Sequence, residues 1–133
     1  MDPDRTPPSP PLRVLLADDH TVVRHGVRAY LGLTGDITVV GEAGDGREAV
    51  RLARELAPDV VLMDLAMPEL DGVAATAAIK AERREIEIIV LTSFLDEEHV
   101  IGALKAGAIG YLLKDAEPDE VIRAIRAAGR GEA

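Results

Sequence analysis

Two rhythms of apolar residues alternate along this chain. Short unbroken runs are separated by longer stretches that carry a single apolar stripe. The runs are Arg13–Ala17, Ile37–Ala43, Val60–Met63, Ile86–Leu91 and Gly110–Leu113, short and rich in β-branched residues, as strands buried on both faces are. After the first run, Val23, Gly26, Val27, Tyr30 and Leu31 repeat at i, i+3, i+4, i+7 and i+8, which predicts a helix with one buried stripe; Gly32 to Asp36 break it. Asp45-Gly46 opens a second helix with Ala49, Leu52, Ala53 and Leu56 on its core side, and Pro58 stops it. Asp71 starts a third, with Ala75, Ala78 and Ile79 inward. Asp96-Glu97-Glu98 suits the positive end of a fourth helix dipole, buried through Val100, Ala103 and Leu104. Pro118 suits the first turn of a fifth, whose apolar side is Val121, Ile122, Ile125 and Ala128, with Gly129 after it. Strands and helices in strict alternation predict an α/β fold, a parallel sheet with helices on both faces and right-handed crossovers.

At 133 residues the chain fits one domain with one sizeable core. The proline-rich segment 1–11 cannot build a core and is expected to be a disordered tail; 12–130 is the domain; 131–133 begins a linker or marks where a longer protein was cut. Tyr30, Phe94 and Tyr111 are the only aromatics, so the core is aliphatic. Cysteine is absent, which excludes disulfide and thiolate chemistry. No apolar run reaches the roughly 20 residues that cross a bilayer, and no secretory leader is visible, so a cytoplasmic protein with no membrane contact is expected. A formal charge of −9 argues against this domain gripping nucleic acid.

The polar residues that end the strands change the picture. The first run ends in Asp18-Asp19, the third in Asp64, the fourth in Thr92-Ser93 and the fifth in Lys114. In an open parallel sheet these ends share one edge, the edge where ligands bind. A lone Asp after a strand is commonly a turn residue; here several equivalent positions carry carboxylate, hydroxyl or ammonium. Clustered carboxylates repel unless a cation sits among them, and oxygen ligands with few protein contacts suit Mg²⁺. A carboxylate nucleophile, a metal and a cation for the phosphate oxygens are the parts of phosphoryl transfer, and the Thr92 hydroxyl can donate to one such oxygen. His20, His25 and His99 fall on helices and are expected to be solvent-exposed, leaving no obvious base for water. Such a site suits forming an acyl phosphate better than hydrolysing one quickly.

With Ala17-Asp18-Asp19-His20, Met63-Asp64-Leu65-Ala66-Met67-Pro68, Asp71-Gly72, Leu91-Thr92-Ser93, Gly107-Ala108 and Gly110-Tyr111-Leu112-Leu113-Lys114 in this order, the chain from Leu12 to about Gly129 resembles the receiver domain of two-component response regulators. Asp-Asp-His after the first strand and Leu-Leu-Lys-Asp at the last resemble the NarL/FixJ (LuxR-type) branch, whose members usually carry a C-terminal helix-turn-helix. The resemblance implies a flavodoxin-like doubly wound (βα)5 fold with strand order 2-1-3-4-5. It implies that Asp64 accepts a phosphoryl group from a sensor histidine kinase. Asp19, Asp64 and the backbone carbonyl of Ala66 would bind Mg²⁺, with Asp18 acting mainly through metal-bound water. Lys114 would pair with the phosphoryl group, Thr92 would swing toward it, and Tyr111 would follow inward as an aromatic switch. The domain would be a phosphoacceptor with slow self-dephosphorylation, not an enzyme, controlling transcription through a DNA-binding output domain.

Ala66 offers no side chain where many relatives carry a polar or larger residue, Thr21 stands where this branch often has Pro, and Phe94 is expected to shield the acyl phosphate from water. Two other readings compete. A Mg²⁺-dependent phosphohydrolase using Asp64 commonly needs a second Asp at the position of Ala66, and a pseudo-receiver would have lost an acid or the lysine. Val22, off the first helix's buried stripe, and the pair Val121/Ile122 suggest a homodimer face on the first and last helices, promoted by phosphorylation; Ile101 on the fourth helix offers a second face. The kinase is expected to dock over the first helix. The isomer of the Lys114–Asp115 bond is open, since a non-proline cis bond costs about 3 kcal/mol and nothing demands one.

Overall fold

A computed structural model describes residues 10–93 and 97–132. Five strands, β1 (Leu12–Ala17), β2 (Ile37–Ala43), β3 (Val60–Asp64), β4 (Glu87–Thr92) and β5 (Gly110–Leu113), alternate with five helices, α1 (Thr21–Leu31), α2 (Gly46–Leu56), α3 (Gly72–Glu82), α4 (Glu97–Ala106) and α5 (Pro118–Gly129). Every strand pair is parallel and the order is β2-β1-β3-β4-β5, the doubly wound arrangement expected. Only Pro10 and Pro11 of the expected tail lie within the described residues, and Phe94 and Asp96 lie outside them.

Strand side chains alternate between the two faces of the sheet, and each face has its own core. Leu15, Val61, Met63, Ile88 and Val90 pack with Ala49, Ala53, Ala75, Ile79, Val100 and Ala103 of α2, α3 and α4. Val14, Leu16, Val60, Leu62, Ile89 and Leu91 pack with Leu31, Val121, Ile125 and Ala128 of α1 and α5. Small alanines let α2 and α3 lie close to the sheet. Asp45 and Asp71 cap those helices, accepting from the amides of Glu48 and Ala74 at 2.8 Å each. Ala57 in the left-handed conformation ends α2 ahead of Pro58.

Two glycines hold the helix starts against the loop after β3. A Cβ on Gly46 would fall 1.8 Å from the carbonyl oxygen of Leu70, and one on Gly72 would fall 2.3 Å from that of Asp64. Neither helix could begin where it does with a side chain there.

Some expected placements shift. The stripe on α1 is shallower than its periodicity suggests: Leu31 is buried, Val23, Val27 and Tyr30 are half-buried, and Gly26 is exposed. Leu104 is exposed rather than buried, because α4 seats Val100 and Ala103 on the core and turns Leu104 aside. On α5 Val121 points in and Ile122 is half-buried, as their adjacency requires. Thr92 is the last residue of β4 rather than a residue beyond it, and Ile86 is buried in the turn before the strand. Among the described residues no peptide bond is cis, so the Lys114–Asp115 bond is trans. No helix among the described residues is long and apolar enough to cross a membrane.

Candidate functional site

Register carries the strand-end residues to one edge. Ala17 pairs with Met63, Asp64 with Leu91, and Thr92 with Leu113, so Asp18, Asp64, Thr92 and Lys114 leave the sheet at one level. Backbone bonds fix that level. The amide of Asp18 donates to Ala43 O at 3.0 Å, that of Leu65 to Leu91 O at 3.1 Å, and that of Lys114 to Thr92 O at 2.8 Å.

Side chains then converge. Lys114 Nζ donates to Asp64 Oδ2 at 2.7 Å and stands 3.4 Å from Asp18 Oδ2. The carboxylates of Asp18, Asp19 and Asp64 offer oxygens that, with a ring nitrogen of His20, all lie within 4.8 Å of one another. Asp64 and Asp18 are 1 % and 3 % exposed; Asp19 is exposed at the rim. The amide of Ala66 donates to Asp64 Oδ1 at 3.1 Å, which fixes the carboxylate plane. Asp18 Oδ1 accepts from the His20 amide at 2.7 Å, while Asp18 Oδ2 is buried with no hydrogen-bond partner.

Burial penalises the charge of Asp64 and Asp18 repels it, so Asp64 titrates above the ordinary carboxylate value even though Lys114 and the Ala66 amide pull it down. For Lys114, burial works to lower the value, but the hydrogen bond and charge of Asp64, with Asp18 adding, outweigh it and hold the ammonium above the ordinary lysine value. Three carboxylates and one ammonium leave the cup with two net negative charges. That excess, a buried carboxylate oxygen with no hydrogen bond of its own and donors that are nearly all oxygen fit a divalent cation. Beside the cup a cleft of about 330 Å³ is lined by Asp64, Ala66, Met67, Thr92, Ser93 and His99, roomy enough for a small anionic group.

Of the expected residues, Asp18, Asp19, Asp64 and Lys114 gather in the cup, Ala66 and Thr92 line the cleft beside it, Tyr111 stays apart, and His20 is an addition. His20 is not on α1 but at its N-cap, where its side chain makes no capping bond. Instead Nδ1 lies 3.1 Å from both Asp18 Oδ1 and Asp19 Oδ1 and 3.3 Å from Lys114 Nζ. His20, His25 and His99 are all exposed as expected; the missed signal for His20 was its place directly after the acid pair, still in the strand-end loop. Tyr111 is 45 % exposed and lies outside the cup, in a groove with Val100, Ile101 and Leu104.

Residues 14–126 match the model of the response regulator receiver domain. The chain belongs to that family. Over 121 residues it is 54 % identical to the transcriptional regulatory protein LiaR of Bacillus subtilis, covering 91 % of this chain and 57 % of LiaR. The signal receiver domain of the response regulator NarL from Mycobacterium tuberculosis superposes with a TM-score of 0.90 at 35 % identity, covering 93 % of this chain and all of that one. A LuxR-family two-component response regulator from Aurantimonas sp. SI85-9A1 superposes with a TM-score of 0.86 at 38 % identity, over 92 % of this receiver and 87 % of that chain. The receiver is therefore of the NarL/LuxR type. It spans little more than half the length of the curated relatives it matches.

Proposed function

We propose that this receiver takes a phosphoryl group on Asp64 from a phosphohistidine of a sensor histidine kinase and passes the signal to a DNA-binding output domain. A carboxylate oxygen of Asp64 attacks phosphorus, a P–O bond forms, and the P–N bond to the histidine breaks. Its electron pair leaves on the imidazole nitrogen, which takes up a proton. The observation that supports this most is the buried Asp64 carboxylate with Lys114 at 2.7 Å and the buried Asp18 carboxylate 3.4 Å from the same ammonium.

Asp19, Asp64 and the carbonyl of Ala66 would hold Mg²⁺, with Asp18 acting through metal-bound water. When bound, the ion supplies positive charge to the phosphate oxygens and neutralises the acids that would otherwise repel the incoming group. Lys114 exchanges its carboxylate bond for one to the phosphoryl group, and the Thr92 hydroxyl donates to another oxygen. Tyr111 turns inward behind Thr92, out of the α4–β5 groove. Charge-assisted hydrogen bonds that form only in the phosphorylated state bias a two-state surface. The protein works in the cytoplasm and turns over its acyl phosphate slowly.

The surface that changes is a homodimer face, on α1 with α5 or on α4. Val22 on α1 is 84 % exposed, while Ile101, Leu104, Tyr111 and Leu113 stand exposed on the α4–β5 side. With beryllofluoride and Mg²⁺, the light-scattering mass should double; Val22→Asp or Ile101→Asp should abolish the doubling according to which face is used, and a mass that never changes would sink the dimer.

Acetyl phosphate with Mg²⁺ separates switch from hydrolase. Intact mass should rise by one phosphoryl group per chain in the wild type and not in Asp64→Asn. Many turnovers of phosphate release without an adduct would favour the phosphohydrolase, which Ala66 in place of a second acid already disfavours.

A further inference from the structure

We propose that Arg24 is a positioning residue for the cation site, holding the loop that carries Asp18 and Asp19 and thereby setting the affinity for the metal. This inference rests on the metal reading above. Arg24 lies on α1 outside the acid cup, and its side chain is only 18 % exposed. Its Nη1 donates to the backbone carbonyl of Asp18 at 2.5 Å, and its Nε donates to Glu42 Oε1 at 3.3 Å. The amide of Asp18 is meanwhile held by Ala43 O on β2. Both backbone groups of Asp18 are thus pinned, one from β2 and one from α1.

A guanidinium suits this task because its rigid fork can meet a carbonyl and a carboxylate at once, as a lysine ammonium cannot. Glu42 on β2 aims the fork; its second carboxylate oxygen pairs with Arg28, one helical turn further along α1. Arg28 therefore shares Glu42 but has no bond to Asp18. Asp19 follows Asp18 directly and stands at the rim, so its carboxylate goes where the backbone of Asp18 puts it. Groups that orient metal ligands from behind commonly change metal affinity 10- to 100-fold when removed.

Two effects of removing Arg24 have opposite signs. Losing a positive charge near an acidic cup tightens cation binding; losing the hold on Asp18 weakens it. Arg24 bonds the backbone carbonyl of Asp18 and none of the cup's carboxylates, so the hold dominates.

The test is calorimetric titration of Mg²⁺ into the wild type, Arg24→Ala and Arg28→Ala at a temperature where circular dichroism shows all three folded. Arg24→Ala should bind about tenfold more weakly, and Arg28→Ala should stay within about twofold of the wild type. Equal or tighter binding by Arg24→Ala overturns the proposal, as does equal weakening by Arg28→Ala. Should Arg24→Ala fail to fold, Arg24→Gln keeps the apolar stem of the side chain and should show the same weakening. Hydrogen exchange without metal gives a second readout: the amides of Asp18 and His20 should exchange faster in the variant while those of Val61 and Leu62 do not change, and uniform change or none counts against it. A wild type that ignores Mg²⁺ would instead bring down the metal reading and this inference with it.

Discussion

Replacing Lys114 with Met tests the electrostatics of the cup most severely. The ammonium is 2.7 Å from Asp64 Oδ2 and 3.4 Å from Asp18 Oδ2, and those two acids are nearly inaccessible to water. Met fills similar volume, so the change is one of charge. Removing one partner of a buried pair costs about 3–5 kcal/mol because the other charge is stranded. The protein has one escape, which is to protonate Asp64, whose value already lies above the ordinary range. Protonating a carboxylate with an ordinary value near 3.9 at pH 7 costs about 4 kcal/mol at 1.36 kcal/mol per unit, which caps the loss. A carboxyl raised in the folded state loses stability as pH climbs above its unfolded value. The penalty in Lys114→Met should therefore be about 3 kcal/mol at pH 7 and about 1 kcal/mol at pH 5, in urea melts without divalent ions. Mg²⁺ at about 100 times its dissociation constant adds about 2.7 kcal/mol to whatever binds it, and should narrow the gap to wild type because the ion supplies beside Asp64 the positive charge that the missing ammonium no longer does. A loss below about 1 kcal/mol at pH 7, a loss independent of pH, or a gap that Mg²⁺ leaves unchanged would refute the reasoning.

Asp18→Asn removes the charge that repels Asp64 yet keeps an oxygen for the His20 amide; the metal-free protein should gain about 1 kcal/mol in a urea melt while Mg²⁺ affinity drops. Gly72→Ala sets a methyl 2.3 Å from the carbonyl of Asp64 and should cost about 3 kcal/mol, with weakened Mg²⁺ binding because the strand end must shift; a variant as stable as wild type would show that α3 starts elsewhere. Burial pushes the Tyr30 hydroxyl up to about 12 from 10.0. The stability it contributes is therefore complete below pH 10 and fades as the pH rises toward 12, a limb of the alkaline melt that Tyr30→Phe should lack.

The sheet was legible because its strands are near-continuous apolar runs, a pattern that survives any reasonable choice of boundary. The cup was legible for a related reason: strand ends in a parallel sheet share an edge, so polar residues following apolar runs could be gathered without knowing any distance. His20 escapes that logic because it sits three residues past the end of β1, at the N-cap of α1, a position that belongs to both loop and helix. Leu104 escaped because a stripe at i, i+3 and i+4 cannot say which of its members the partner surface leaves uncovered. Arg24 was invisible as anything but a helix-surface cation, since its two acceptors, a carbonyl of β1's trailing loop and a carboxylate on β2, are set by tertiary packing alone.

The most direct test of the account is to trap the acyl phosphate. After incubation with acetyl phosphate and Mg²⁺, borohydride reduction followed by peptide sequencing by mass spectrometry should find one modified site per chain, at Asp64, lost when Mg²⁺ is chelated and absent in Lys114→Met under brief exposure. Modification at Asp18 or Asp19 with Asp64 untouched, or labelling that ignores Mg²⁺, would contradict it.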